Sequence, residues 1–314
     1  MDLISEQNKI ISSLSKSIIK TLAYYDIFEY PLTANEIYQN LGINSVSYSD
    51  VYTEIQILQS KGLVYKNKDF YLLSNNDYFI NRRIAGNNLA EKKLASAYKM
   101  TKLIAKFPYV RAILLSGSIS KGYMEKDSDV DYFIITNPNR LWVARLLLMA
   151  FKKIFLLNSR KIFCINYFVD TEKLEIEEKN IFTATELVTL IPTYGKELYD
   201  ELYKKNIWIK QFYPNFPKRD TTNIYCNNNN LIQKFFEKIL NNPFGDKLDD
   251  FAMNLFEKSN HKKYSEYNSR DFQLAFKTSK KESKHHPKFF QKRVLDAFMN
   301  KLKSLENNFN ISLE

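Results

Sequence analysis

The stretch from Ala112 to Ile135, AILLSGSISKGYMEKDSDVDYFII, constrains the fold more than any other part of this 314-residue sequence. Two apolar runs, each long enough for a strand, enclose a Gly-Ser turn, and the second run begins with two acids. Because side chains alternate along a strand, Asp129 and Asp131 project to one side while Val130 points to the other. The stretch therefore predicts two strands that bring a small-residue turn and a two-carboxylate cation site to one end of a sheet.

The turn before the acids, Ser116-Gly117-Ser118, has the composition of a phosphate-binding loop. Gly117 permits close backbone approach, and Ser118 adds a hydroxyl to the backbone N–H groups at the expected start of a helix. Lys121 follows one helical turn later, where it is either a phosphate contact or an ordinary exposed lysine. An anion-binding turn thus faces the pair of carboxylates.

The order and spacing of these residues resemble the signature of the nucleotidyltransferase superfamily that includes DNA polymerase β. Here the signature reads LSGS at 115–118, ten intervening residues, and DVDY at 129–132. Gly122 and Ser128 also match the common form of the motif in small bacterial members, as part of the nucleotide site. The resemblance implies that Asp129 and Asp131 hold two Mg²⁺ ions and that Ser118 donates to the β- or γ-phosphate of an NTP, expected to be ATP.

The superfamily generally places a third acid on a later strand, and the run KIFCINYFVD at 161–170 is the natural location. Strand alternation would put Cys164, Asn166, Phe168 and Asp170 on one face. The family pattern aligns best with Asn166, whose amide oxygen can bind a hard cation but supplies no charge and no base. Three interpretations stay open: Asn166 supports the metal, Asp170 replaces the catalytic acid, or the site is atypical or inactive.

The first part of the chain, residues 12–73, predicts three helices followed by a hairpin, with Thr33 and Glu36 as a capping box for the second helix. The phrases LTANEIYQNLG and ILQSKGLVYKNKDFYLL resemble the winged-helix fold. In that family the third helix enters the DNA major groove, yet here its expected exposed side includes Asp50 and Glu54, which would repel phosphate. DNA contact and a structural or protein-binding role are both open.

Further along, periodicity predicts a long helix at 75–106, a crossover helix at 141–157 and a buried strand at 161–169. Residues 180–203 predict two helices separated by a Pro-Gly break, with Thr193, Tyr194 and Lys196 as residues that could face the nucleotide. Helical periodicity returns at 231–240, 247–258 and 288–305. We therefore predict an α+β fold with three parts: a winged-helix-like domain at 1–75, a small mixed-sheet nucleotidyltransferase core at 76–218, and a helical, basic C-terminal region at 219–314.

Composition adds limits on location and partners. A net charge of +11 makes binding of nucleic acid electrostatically easy, although a solvated lysine-rich surface is the commoner explanation. Cys164 and Cys226 form neither a zinc motif nor a disulfide framework, which suits a reducing cytoplasm. No signal-peptide pattern follows Met1, and the apolar stretch at 141–157 is short and interrupted by charges, so we expect no membrane partner.

Together these features predict a cytoplasmic, Mg²⁺-dependent enzyme that moves an NMP from an NTP to a hydroxyl acceptor. The acceptor could be a small molecule, a protein side chain or an RNA end. The alternative is a catalytically weak or inactive nucleotidyltransferase-like protein of regulatory or antitoxin type, which binds nucleic acid or protein instead.

Overall fold

The computed structural model describes residues 11–159, 161–222, 224–226, 230–269, 272, 275–285 and 289–313. The first ten residues of the predicted N-terminal domain and residue 288 of the last predicted helix lie outside these ranges. Within them, no helix is both long enough and apolar enough to cross a membrane.

Helices make up most of the regular structure in these ranges. Their bounds are α1 Ser13–Asp26, α2 Ala34–Gln39, α3 Tyr48–Ser60, α4 Asp77–Ile104, α5 Gly117–Ser120, α6 Leu141–Phe155, α7 Ile181–Thr189, α8 Lys196–Lys205, α9 Leu231–Leu240, α10 Pro243–Lys263 and α11 Phe290–Phe309, with a 3₁₀-helix at Ile207–Gln211. The strands are β1 Leu32–Thr33, β2 Tyr65–Asn67, β3 Phe70–Leu72, β4 Val110–Ser116, β5 Asp131–Thr136, β6 Cys164–Asp170, β7 Ile191–Tyr194, β8 Phe276–Thr278 and β9 Glu282–His285.

The N-terminal module packs α1, α2 and α3 with an antiparallel sheet of order β1-β3-β2. The predicted capping box is present: Thr33 Oγ1 accepts from the Glu36 backbone N–H, and the Glu36 carboxylate accepts from the Thr33 N–H. The predicted hairpin is β2 and β3, whereas β1 was not predicted because two residues are too short to show a period. Side chains from α11 complete this core, so the end of the chain returns to its beginning.

The central sheet has the strand order β7-β4-β5-β6-β9-β8. Strands β5 and β6 are parallel, as the crossover through α6 requires, and the other neighbours are antiparallel. One face packs on α7 and α8, and the other packs on α4, α6 and α10. The sheet is thus mixed and sandwiched between helices, which agrees with the predicted α+β class.

Two expectations for the second half of the chain need correction. The Pro-Gly break at Ile191–Tyr194 is a strand, β7, which pairs with β4 at the sheet edge. The C-terminal region is not wholly helical, because β8 and β9 extend the central sheet beyond β6. All three strands are three or four residues long, and short strands carry little periodic signal.

Helix α10 is fixed to the crossover helix by a buried acid. The Asp249 side chain is fully buried, and its Oδ1 accepts hydrogen bonds of 2.9 Å from the backbone N–H groups of Trp142 and Val143. These are two of the N–H groups that the first turn of α6 leaves without helical partners. The C-terminal region therefore holds the sheet-packing helix α6 in place.

Candidate active site

The predicted turn lies against the predicted acids at the end of β4. Ser116 is opposite Asp131 in the antiparallel pair of β4 and β5, and Gly117 begins the short helix α5. Gly117 has φ +67°, and a Cβ atom at this position would overlap Asp131 Oδ2 and lie 3.2 Å from Asp131 Cγ. Glycine is required here both for the left-handed backbone and for the close contact with the carboxylate.

Asp131 is the centre of the candidate site. Its Oδ1 accepts a 2.8 Å hydrogen bond from the Asn166 amide, and the Cys164 thiol donates to the oxygen of that same amide at 3.3 Å. The pKa of Asp131 is raised to about 7, mainly by burial. The charges of Asp129 and Glu186 also raise this pKa, whereas hydrogen bonding by the Cys164 thiol and the charge of Lys121 lower it. The protein alone thus disfavours the charged form of Asp131, which a bound cation would stabilise.

The partner acid Asp129 lies just before β5 and is half-buried, while the intervening Val130 is 1% exposed. The charge of Asp129 raises the pKa of Asp131 and also that of the Cys164 thiol. The two acids are therefore electrostatic neighbours, with the valine between them turned into the core as strand alternation predicts.

Glu186, on α7, is a part of the site that sequence reasoning missed. Its carboxylate accepts a 2.8 Å hydrogen bond from Lys121 Nζ, and the same ammonium donates to the Gly117 carbonyl at 3.0 Å. Its charge also contributes to the raised pKa of Asp131. No spacing in the sequence links Glu186 to the turn; only the packing of α7 on the sheet brings them together.

Three other predicted residues surround the turn. Ser118 is half-buried, and its carbonyl accepts from the backbone N–H groups of Lys121 and Tyr123. Gly122 has φ +70°, and a Cβ atom there would approach only Asn87 Nδ2, at 3.8 Å. Ser128 closes the turn before the acids, since its hydroxyl accepts from the Glu125 N–H at 2.9 Å. Ser128 therefore shapes the approach to Asp129.

The structure does not bring Asp170 to the two acids, for two reasons. Tyr132 pairs with Ile165 and Phe133 pairs with Tyr167, so Asn166 is an extra residue in β6. This bulge directs Asn166 to Asp131 and shifts the alternation of the residues that follow. Asp170 then pairs with Thr136, on the opposite face of the sheet and about 13 Å further along the strand.

At its actual position Asp170 is fully buried, and its carboxylate accepts from the Glu172 N–H at 2.9 Å. Burial raises its pKa. Two of the three residues expected to face the nucleotide, Thr193 and Lys196, are also engaged elsewhere. The Thr193 hydroxyl is buried and donates to the Ile113 carbonyl, and Lys196 pairs with Asp200 on the surface of α8.

The donor set suits a cation shared with a ligand better than one held by the protein alone. Within the described ranges, no group of three His, Cys, Asp or Glu side chains is arranged to hold a metal ion. Asp129 and Asp131 supply two neighbouring carboxyl groups, and Mg²⁺ is typically bound by one or two carboxylates together with substrate phosphates and water. The residues present therefore fit a metal ion that arrives with a phosphate ligand.

Comparison with known proteins agrees with this geometry. Residues 99–212, about a third of the chain, match the family model described as nucleotidyltransferase domain. The matched segment runs from the end of α4 to the 3₁₀-helix and includes every residue of the candidate site. No curated protein and no solved structure matches the chain. The match supports assignment of residues 99–212 to the nucleotidyltransferase superfamily.

Proposed function

We propose that this protein transfers an NMP from a magnesium-bound NTP to a hydroxyl acceptor. The observation that carries the proposal is the contact between Gly117 and the Asp131 carboxylate, beside Asp129. A phosphate seated on the turn would lie next to both acids. The family match over residues 99–212 supports nucleotidyl transfer in general; the metal, the nucleotide and the acceptor belong to the proposal.

Each residue of the site has a role in this scheme. Asp129 and Asp131 would hold Mg²⁺, which when bound neutralises charge on the phosphate oxygens during transfer. Asn166 orients Asp131 through its 2.8 Å hydrogen bond. Ser118 and the backbone N–H groups of the turn bind the terminal phosphates, and Lys121 adds a positive charge beside them.

Glu186 replaces Asp170 as our candidate for the third acid. Like that of Asp129, the charge of Glu186 raises the pKa of Asp131. The Glu186 side chain is 29% exposed, which leaves it accessible to an acceptor. In the free protein it holds Lys121 against the Gly117 carbonyl. Release of Lys121 to a bound phosphate would leave Glu186 available to accept the proton of the attacking hydroxyl.

Label transfer tests this function. The purified protein would be incubated with Mg²⁺, each of four α-labelled NTPs, and either candidate small molecules, RNA oligonucleotides or the protein itself. We expect pyrophosphate release and covalent labelling that Asp131→Ala abolishes. Asp127→Ala is the matched control, because Asp127 is close in sequence but exposed and paired with Lys161. Equal labelling by both variants would contradict the proposal.

For the N-terminal module we propose a winged-helix-like, protein-binding role. The Glu54 carboxylate on α3 accepts from the hydroxyls of Ser12 and Ser15, and Asp50 caps the same helix. Acids along this helix oppose phosphate binding. Salt-dependent binding to duplex DNA that survives both Asp129→Ala and Asp131→Ala would contradict this role and favour a regulatory, DNA-binding protein.

A further inference from the structure

Helix α9 is amphipathic in the inverted sense, with its polar side against the protein. Asn230 and Gln233 donate from their side-chain amides to the carbonyls of Ala105 and Val110. Glu237 accepts from the Tyr109 backbone N–H at 2.6 Å and from the Arg111 guanidinium at 2.8 Å. These hydrogen bonds fix the orientation of α9 and hold its opposite side towards solvent.

The outward side of α9 is apolar. It consists of five large side chains that are 44 to 71% exposed: Leu231, Ile232, Phe235, Phe236 and Ile239. The polar side chains of α9 form hydrogen bonds within the protein, whereas the outward apolar side chains could be buried only by a binding partner. An exposed apolar surface of this kind is the usual mark of an interaction site.

Helix α10 continues this surface. Leu240 of α9 and Leu248 of α10 pack in one cluster with Tyr109 and Leu147. On the exposed side next to Leu248, Phe244, Phe251 and Leu255 recur at helical spacing and are 47 to 65% exposed. The two helices meet at this cluster and together present eight large exposed apolar side chains, hereafter the hairpin face.

Positive charge borders the hairpin face. Six lysines of the two helices are exposed, namely Lys234, Lys238, Lys247, Lys258, Lys262 and Lys263. Of the five acids in the same helices, four are paired with cations of the protein: Glu237 with Arg111, Asp246 with Arg140, and Asp249 and Asp250 with Lys280. A second copy of the chain would bring lysines towards lysines, on a protein whose net charge is already +11.

We propose that the hairpin face docks on a lipid bilayer that carries anionic headgroups. The phenylalanine, leucine and isoleucine side chains would enter the boundary between headgroups and acyl chains, and the bordering lysines would contact lipid phosphates. This revises the expectation of no membrane partner, which rested on the lack of a spanning segment. Peripheral docking needs no such segment.

Docking would leave the candidate active site accessible. Helix α9 bonds to residues at the start of β4, and Gly117 follows the end of the same strand. Seven residues of strand separate the two regions by about 20 Å. The docking proposal is therefore independent of the proposed function, and variants of the hairpin face should retain nucleotide binding.

Vesicle flotation with the full chain tests the proposal. We expect flotation with vesicles of phosphatidylcholine and phosphatidylserine, much less with phosphatidylcholine alone, and a decrease with added salt. Phe235→Ser should lower partitioning about tenfold, since it removes one large apolar side chain from the lipid contact. Ile207→Ser is the control, because Ile207 is 57% exposed but lies outside the hairpin. Melting temperatures confirm that both variants fold.

Charge reversal tests the contact between the bordering lysines and the anionic headgroups. Lys238→Glu should weaken flotation, whereas Lys61→Glu, at the end of α3, should not. Failure of the wild-type chain to float would overturn the proposal, as would flotation that is unaffected by Phe235→Ser. A dimer in light scattering that Phe235→Ser dissociates, without flotation, would assign the hairpin face to a second copy instead.

Discussion

Substitution of Gly117 by alanine tests whether the turn is built around the Asp131 carboxylate. An alanine at φ +67° costs roughly 1–2 kcal/mol of backbone strain. The new Cβ atom would also overlap Asp131 Oδ2, and Asp131 is held by the Asn166 amide, so it cannot move without loss of that bond. Overpacking of this kind typically adds 1–3 kcal/mol. We expect Gly117→Ala to lower the free energy of unfolding by about 2–5 kcal/mol.

The control for this prediction is Gly62→Ala. Gly62 has φ +70°, but a Cβ atom there has no neighbour within 4 Å, so only the backbone term of about 1–2 kcal/mol remains. Urea unfolding in EDTA would measure both variants. In an Asp131→Ala background the excess cost of Gly117→Ala should largely disappear, since the overlapping oxygen is gone. Equal losses for the two glycine variants, or a cost of Gly117→Ala that persists without the carboxylate, would refute this account of the turn.

Individual side chains lead to three further predictions. The pKa of Asp131 is raised to about 7 from 3.8, so the ionised side chain destabilises the folded protein; this cost is absent below pH 4, grows between pH 4 and 7 and is complete above pH 7. Asp131→Asn should therefore stabilise the metal-free protein by about 1–2 kcal/mol at pH 8 and little at pH 4, measured by thermal melts in EDTA. Asp249→Ala should destabilise by about 2–3 kcal/mol in urea because two N–H groups lose a buried acceptor, whereas the half-exposed Asp250→Ala should change stability by under about 0.5 kcal/mol. Lys121→Met should raise the KM for NTP roughly tenfold, and addition of Glu186→Gln should lower kcat further, because Glu186 is proposed to accept the proton of the acceptor; an unchanged kcat in the double variant would leave Glu186 only the role of positioning Lys121.

Local chemistry was predictable from the sequence where neighbours in the chain determine it. Thr33 and Glu36 form their capping box within four residues, and the turn at Gly117 and the acids at Asp129 and Asp131 lie within one hairpin-sized stretch. The long helices α4 and α6 have enough turns for their period to be visible. In each case the signal and the structure share the same short segment.

Features that depend on pairing across the chain could not be predicted. Strict alternation predicted Asp170 on the same face of β6 as Asn166. The bulge at Asn166 depends on the pairing of β6 with β5, and it moves every later residue of β6 to the opposite face. Glu186 reaches the turn only through the packing of α7. The inverted orientation of α9 has the same origin, since its amphipathic pattern alone is consistent with either side facing the protein.

The central claim is that the Gly117 turn and the two acids bind a metal nucleotide, and equilibrium binding of labelled ATP tests it most directly. Binding should require Mg²⁺, disappear in EDTA, and weaken at least tenfold in Asp131→Ala, while Asp127→Ala should bind like the wild type. Binding of ATP that needs no divalent ion, or that Asp131→Ala and Asp127→Ala leave equally intact, would contradict the claim.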